Sequence, residues 1–156
     1  MRSVKIVVVG AASASFGPKT LADVLACGEL GGSELWLVDL DPQALDLMAR
    51  LAQRLNTEWD SGLRVERTTD LAAALPGADY VVSMVEVNRD RLWQLDLTIP
   101  HKYGVFQVLG ENGGPGGLSH TLRSAPLVLE IAKQMEQHCP RAWLLNYTNP
   151  VPRVCR

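Results

Sequence analysis

The stretch that decides the fold is Val4-Lys5-Ile6-Val7-Val8-Val9, followed at once by the turn Gly10-Ala11-Ala12-Ser13-Ala14-Ser15-Phe16 and by Gly17-Pro18. The first segment is almost continuously apolar, which predicts a β-strand buried on both faces, as in a parallel sheet. Pro18 favours the first turn of a helix. A strand, a glycine turn and a helix form the context in which a dinucleotide-binding fingerprint occurs.

The glycine turn matches the G-x-G-x-x-G fingerprint only in part. Gly10 fills the first glycine position. Ala12 stands where the second glycine normally lets the backbone approach a pyrophosphate, and Ser15 stands at the third position. The turn alone therefore leaves two interpretations open, a cofactor loop or a plain connection between a strand and a helix.

The second predicted strand, Leu35–Val38, is followed by two aspartates with different expected roles. Asp39 comes at the carboxyl end of the strand, where a doubly wound fold places the acid that binds the adenosine ribose hydroxyls. A carboxylate there favours NAD over NADP, because it would repel a 2′-phosphate. Asp41 directly precedes Pro42, so we expect it to cap the N-terminus of the next helix.

Three further strands are predicted downstream: Leu63–Thr68, Ala78–Met84 and Ala142–Asn146. Between the last two we expect a helix from about Asp90 to Thr98, ending before Pro100, and a longer helix from Leu118 to Gln137. Alternating strands and helices predict an α/β fold, an open, doubly wound, Rossmann-like parallel sheet in the order 3-2-1-4-5.

Ligands of such sheets bind outside the carboxyl ends of the strands, where the strand order reverses. We expect four segments to meet there: Gly10–Phe16, Asp39, Ser83–Arg89 and Asn146–Asn149. Within them, we assign cofactor binding to Gly10, Ala12, Ser13, Ser15, Phe16, Asp39, Val85 and Asn88.

The composition fits one globular domain over residues 1–156. The formal net charge of -2 gives no reason to expect nucleic acid or an anionic membrane as a partner. No apolar run reaches the roughly 18 residues that cross a bilayer. Cys27, Cys139 and Cys155 are widely spaced and odd in number, which indicates reduced thiols in a cytoplasmic protein.

A second glycine-rich stretch, Gly110-Glu111-Asn112-Gly113-Gly114-Pro115-Gly116-Gly117, precedes the longer helix. A glycine loop before a helix offers free backbone N–H groups, which suit an anionic or hydroxyl-rich ligand. An ordinary surface loop is the alternative. The three histidines, His101, His120 and His138, show no metal-ligand spacing, and we expect His120 to lie at the surface.

Five short motifs follow one another along the chain. They are Gly10–Phe16, Leu37–Asp41, Asp96 with Ile99-Pro100 and Tyr103-Gly104, Gly114–Gly117 with Leu122-Arg123 and Pro126, and Asn146-Tyr147-Thr148-Asn149-Pro150. In order and spacing they resemble glycoside hydrolase family 4, the NAD- and metal-dependent glycosidases. Ala12 departs from the family glycine.

The resemblance implies hydrolysis of O-glycosides with NAD and a divalent metal such as Mn²⁺. The implied reaction oxidises the sugar transiently at C3, removes the C2 proton and eliminates the leaving group at C1. The resemblance also implies a small sugar substrate, of the α-glucoside, α-galactoside or α-galacturonide type, bound by Asn149, Glu111, Asn112 and Arg123. From the residues alone, other roles remain possible. Asn149 could be a turn former, Glu111 a solvated loop acid, and Arg123 a member of a surface ion pair.

The family's metal-binding Cys and His and its Tyr base come after the Asn-x-x-Asn-Pro motif, so we expect no catalytic residue and no metal ligand in this chain. We expect the sixth strand and the C-terminal substrate and oligomerisation domain to be missing. The chain alone should then bind NAD without turnover and self-associate through exposed apolar surface, as part of a homo-oligomer.

Two other classes of protein remain open at this point. Lactate and malate dehydrogenases share the predicted sheet and an Asn-Pro-Val segment, which Asn149-Pro150-Val151 matches. A non-catalytic nucleotide-binding module is the second alternative.

Overall fold

A computed structural model of the chain describes residues 3–109 and 111–156. Gly110, the first residue of the second glycine-rich stretch, lies outside the described residues. The elements, in chain order, are β1 Lys5–Val9, α1 Gly17–Leu25, a 3-10 turn Gly28–Leu30, β2 Glu34–Val38, α2 Pro42–Glu58, β3 Arg64–Thr68, α3 Leu71–Ala74, β4 Tyr80–Ser83, α4 Arg89–Lys102, α5 Gly114–His138, β5 Trp143–Asn146 and α6 Val151–Val154.

The strands form one five-stranded sheet in the order β3-β2-β1-β4-β5, as the sequence predicts. β1 pairs in parallel with both of its neighbours, so that Val7 lies opposite Trp36 on one side and Val81 on the other. The predicted strands all exist, and each is slightly shorter than predicted or differs from it by a residue at one end. The fold class is therefore confirmed.

The chain divides into two compact units. Unit 1 contains the chain up to Met84 together with Lys133–Leu145, and unit 2 contains Val85–Ala132 together with Asn146–Arg156. Among the described residues, no helix is both long enough and apolar enough to cross a membrane.

The core of unit 1 lies between β1, β2 and the helices α1 and α2. Val8, Leu35 and Leu37 of the strands are at most 1% exposed, and they belong to one cluster with Leu21 of α1 and Leu45 of α2. Each such aliphatic side chain contributes about 1.5–3 kcal/mol when it is fully buried. Val7 and Val9, which alternate with Val8 along β1, are also buried, so β1 is covered on both faces, which explains its nearly continuous apolar run.

Two aspartates cap helices in unit 1. The Asp41 carboxylate accepts hydrogen bonds from the backbone N–H groups of Gln43, at 2.9 Å, and Ala44, at 3.0 Å, as predicted for the N-cap of α2. Asp70 accepts in the same way from the N–H of Ala72 at 3.0 Å. These acceptors satisfy N–H groups that a helix start leaves without a partner.

The helix α4 continues through Pro100, so its predicted end before that residue is wrong. Pro100 has no N–H for the carbonyl of Asp96, one turn earlier. The side-chain amide of Gln107 donates to that carbonyl at 2.8 Å. A side chain from outside the helix therefore replaces the missing backbone hydrogen bond, which local sequence rules do not foresee.

The helix α5 begins at Gly114 and not at Leu118, so half of the predicted glycine loop is the first turn of this helix. A Cβ on Gly117 would lie 2.9 Å from the carbonyl carbon of Asn112. Glycine is thus required at position 117 because the loop backbone packs directly against the helix.

Candidate functional site

In unit 1, the first glycine turn lies directly beyond β1 and is bonded to the end of β2. Gly10 has a φ of +83°, a left-handed conformation that favours glycine. The N–H groups of Gly10 and Ala11 both donate to the carbonyl of Val38, at 2.9 and 3.1 Å. The turn therefore has a defined shape at the carboxyl edge of the sheet.

The position where a side chain cannot fit is Gly17 at the start of α1. A Cβ there would lie 2.6 Å from the carbonyl oxygen of Ala11 and 2.7 Å from the side chain of Met48. Ser15, which stands at the third fingerprint position, is exposed. Close packing of the start of α1 against the glycine turn and α2 is thus provided by Gly17, two residues after the third fingerprint position.

Asp39 joins the end of β2 to the glycine turn. One carboxylate oxygen accepts from the N–H of Ala12 at 2.9 Å, and the other accepts from the N–H of Asp41 at 3.1 Å. The sequence analysis brings Gly10, Ala12 and Asp39 together, and the structure does the same. Binding of ribose hydroxyls by Asp39 stays a prediction.

The start of α1 carries no negative charge of its own. Phe16 occupies the N-cap position without a side-chain cap, and the first turn contains no acidic residue. The hydroxyl of Ser13 accepts from the N–H of Phe16 at 3.2 Å. Such a helix start is compatible with an anionic group, in line with the cofactor role predicted for Ser13, Ser15 and Phe16.

Unit 2 contains a network of ionised side chains that begins at Arg89. Its Nη1 lies 3.2 Å from Oε2 of Glu86 and 3.1 Å from Oε2 of Glu111. The side-chain amide of Asn149 donates to Oε1 of Glu111 at 3.3 Å. Glu111 and Asn149, both predicted to bind the substrate, are therefore adjacent, and Glu111 is buried and not a solvated loop acid.

A second ion pair in unit 2 joins α4 to α5. Asp96, which is 5% exposed, accepts from both terminal nitrogens of Arg123, with Nη1 at 3.0 Å from Oδ1 and Nη2 on Oδ2. Nη1 also donates to the hydroxyl of Ser119 at 2.8 Å. The hydrogen bonds to Asp96 raise the pKa of Arg123 above its usual value, against the opposing effect of burial. A substrate contact by Arg123 stays a prediction.

His120 lies between these two groups and not at the surface, so its predicted exposure is wrong. The residue is 1% exposed. Its Nε2 lies 3.3 Å from Oε2 of Glu86, and its Nδ1 lies 4.0 Å from Oδ2 of Asp96. The burial of His120 could have been predicted from helical spacing, because the residue continues the buried stripe of α5 formed by Ser124, Val128 and Ile131.

Three side chains in unit 2 could together hold a metal ion. One ligand atom each from Glu86, Glu111 and His120 lies within 4.8 Å of the others. Carboxylate oxygens and an imidazole nitrogen are donors that Mn²⁺ accepts. The residues therefore fit a divalent metal, although the sequence analysis names no metal ligand in this chain.

The other predicted residues of unit 2 are Val85, Asn88 and Asn112. The N–H of Val85 donates to the hydroxyl of Thr148 at 3.0 Å. Asn88 has a φ of +42° at the start of α4, and both Asn88 and Asn112 are exposed. The cofactor roles of Val85 and Asn88 and the substrate role of Asn112 stay predictions.

Comparison with known proteins gives a family match along nearly the whole chain. Residues 5–156 match the model of a family described as Family 4 glycosyl hydrolase. An alpha-glucosidase of Erwinia rhapontici is 47% identical over 97% of this chain and 34% of its own length. The chain thus spans about a third of the length of the curated relatives that it matches.

Solved structures give the same picture. A 6-phospho-alpha-glucosidase from gut microorganisms, in complex with NAD and Mn2+, has a TM-score of 0.84 at 26% identity, over 96% of this chain and 33% of its own. The 6-phospho-beta glucosidase from Thermotoga maritima, solved with manganese, NAD+ and glucose-6-phosphate, has a TM-score of 0.83 at 26% identity, over 94% and 35%. A lactate dehydrogenase from Eimeria maxima reaches 0.58 at 21% identity, over 98% and 39%, which shows a shared fold alone.

Proposed function

Since this chain belongs to the family 4 glycosyl hydrolases, we propose that it is the NAD-binding part of a glycosidase that hydrolyses O-glycosides with a divalent metal. The observation that carries the proposal is the glycine turn of unit 1, bonded through Asp39 and Ala12 to the carboxyl end of β2. Ligands of open parallel sheets bind at that edge. The NAD-bound solved relatives support the same choice of cofactor.

The chemistry that a bound NAD supplies in this family is the transient oxidation of the sugar at C3. Within this chain, Asp39 would accept hydrogen bonds from the adenosine ribose hydroxyls, and its negative charge would disfavour a 2′-phosphate. In unit 2, Glu111 would accept from sugar hydroxyls. Its orientation is already fixed by the amide of Asn149 at 3.3 Å. Preorganised acceptors of this kind lower the cost of positioning a sugar.

For the substrate, we propose a glycoside of the α-glucoside, α-galactoside or α-galacturonide type. The support is the 47% identity to an alpha-glucosidase, together with relatives named alpha-galactosidase and alpha-galacturonidase. Other relatives are named 6-phospho-beta-glucosidase, so a phosphorylated sugar is the competing substrate class.

We also propose that the chain self-associates in the cytoplasm. In unit 1, Trp143 and Leu145 of the terminal strand β5 are 71% and 44% exposed, and apolar edge strands favour association. In unit 2, Leu118, Leu122 and Leu129 of α5 are also exposed. All three cysteines are free thiols, which supports a reducing compartment.

Two measurements on the purified chain test the proposal. Calorimetric titration should detect NAD+ binding, and nitrophenyl glycosides should not be hydrolysed in the presence of NAD+, Mn²⁺ and a reductant. Hydrolysis would contradict the claim that these 156 residues alone are inactive. Absence of binding by NAD+ and by other nucleotides would contradict the cofactor role, and binding of another nucleotide in place of NAD+ would favour a non-catalytic nucleotide-binding module.

A further inference from the structure

The side chains of Glu86, Glu111 and His120 converge in unit 2 although they come from three separate parts of the chain. Glu86 follows β4 in the sequence, Glu111 precedes α5, and His120 lies on α5 itself. Their ligand atoms lie within 4.8 Å of one another. Two carboxylates and one imidazole therefore meet at one point.

His120 is fully buried where the three side chains meet. The residue is 1% exposed, and neither ring nitrogen makes a hydrogen bond to any residue that the structure describes. Buried polar atoms are nearly always paired, so an unpaired imidazole suggests a bound group. Its Nε2 lies 3.3 Å from Oε2 of Glu86.

The surroundings of His120 and Glu111 fit metal ligands. Nδ1 of His120 lies 4.0 Å from the carboxylate of Asp96, which Arg123 holds with two hydrogen bonds. Metal-bound histidines usually donate their other N–H to a carboxylate, and Asp96 lies on that side of His120 without making a hydrogen bond to it. The Asn149 amide donates to Oε1 of Glu111, while Oε2 lies 3.1 Å from Nη1 of Arg89.

The formal charges favour a divalent ion. Asp96 and Arg123 cancel each other, which leaves two carboxylates, Glu86 and Glu111, against the single charge of Arg89. Nη1 of Arg89 lies between them, at 3.2 and 3.1 Å. With a neutral His120, the group carries a net charge of about -1, and a doubly charged ion in place of Arg89 would neutralise it.

We propose that Glu86, Glu111 and His120 form a binding site for a divalent cation of the Mn²⁺ type, which the Arg89 guanidinium occupies when no ion is bound. Arg89 can move away from the two carboxylates, because its side chain is 36% exposed to solvent and its Cζ lies 5.5 Å from the centroid of the Trp93 ring. The proposed cation site rests on the geometry of unit 2 and not on glycoside hydrolysis. Either proposal can therefore fail while the other holds.

The test is a titration of the 156-residue chain with Mn²⁺ alone, without NAD or sugar, followed by electron paramagnetic resonance. Binding removes the signal of the free ion. We expect Glu86→Gln to weaken binding at least about 10-fold and Arg89→Met to tighten it, because the competing cation is gone. The matched controls, Glu136→Gln and Arg91→Met, are exposed on α5 and α4 and should leave the affinity unchanged.

Circular dichroism of each variant shows whether it is folded. A second measurement needs no variant. Pulsed electron paramagnetic resonance of the wild-type chain should show hyperfine coupling between bound Mn²⁺ and an imidazole nitrogen. The site is refuted if wild-type chain binds no Mn²⁺, if bound Mn²⁺ lacks nitrogen coupling, or if folded Glu86→Gln binds like the wild type. An unchanged affinity in folded Arg89→Met would overturn the exchange with Arg89.

Discussion

Unit 1 and unit 2 use their polar groups in opposite ways. In unit 1 the main buried cluster is apolar, and the carboxylates of Asp39 and Asp41 accept hydrogen bonds from backbone N–H groups. In unit 2 the buried carboxylates of Asp96 and Glu111 bond to other side chains instead, those of Arg123 and Asn149. Unit 1 is therefore held mainly by apolar packing and by bonds from carboxylates to the backbone, whereas unit 2 contains buried carboxylates bonded to side chains, one of them in the ion pair of Asp96 with Arg123.

The largest effect is expected from Asp96→Asn in unit 2. This change leaves Arg123, whose side chain is 21% exposed, without its charged partner, and removing one member of a buried pair costs about 3 kcal/mol. Urea unfolding measures the loss, and hydrogen exchange should place it in unit 2. The exposed Asp90→Asn on the same helix is the control; an equal loss in both variants would contradict the contrast between the units.

A smaller effect is expected from Gly17→Ala in unit 1. The new Cβ would lie 2.6 Å from the carbonyl oxygen of Ala11, and overpacking of this kind costs about 2 kcal/mol. Gly28→Ala is the matched control, since a Cβ there meets nothing within 4 Å. Thermal unfolding of the two variants compares them, and equal melting temperatures would show that Gly17 has no packing role.

The smallest effect is expected from Gln107→Ala in unit 2. Loss of the side-chain amide leaves the carbonyl of Asp96 without its donor, which costs about 1 kcal/mol. Hydrogen exchange in α4 should rise near Pro100. Gln94→Ala, exposed on the same helix, should change neither stability nor exchange. A helix α4 that is unaffected in Gln107→Ala would refute our explanation of how it passes Pro100.

The parts of the fold that could be predicted from the sequence are those that depend on neighbouring residues and on apolar periodicity. The strands, their order and the cap at Asp41 follow from apolar runs and from residues next to one another in the chain. The passage of α4 through Pro100 depends on Gln107, and no periodicity reveals that contact. Long-range pairs of side chains are fixed only by the completed fold.

The candidate site shows the same division. The bond between Ala12 and Asp39 joins two positions that fold-level rules already place together. The prediction that His120 lies at the surface is wrong, because the residue belongs to the buried stripe of α5. Arg89 and Glu86 had no assigned individual role, since their importance comes from Glu111 and His120, far away in sequence.

The central claim is that the edge of the sheet at Asp39 selects NAD, and one titration tests it most directly. Wild-type chain and Asp39→Asn are titrated with NAD+ and NADP+, with Asp23→Asn, exposed on α1, as the control. We predict that wild type and control prefer NAD+, and that Asp39→Asn loses about 10-fold in NAD+ affinity along with most of that preference. Equal NAD+ affinity in wild type and Asp39→Asn would contradict the account.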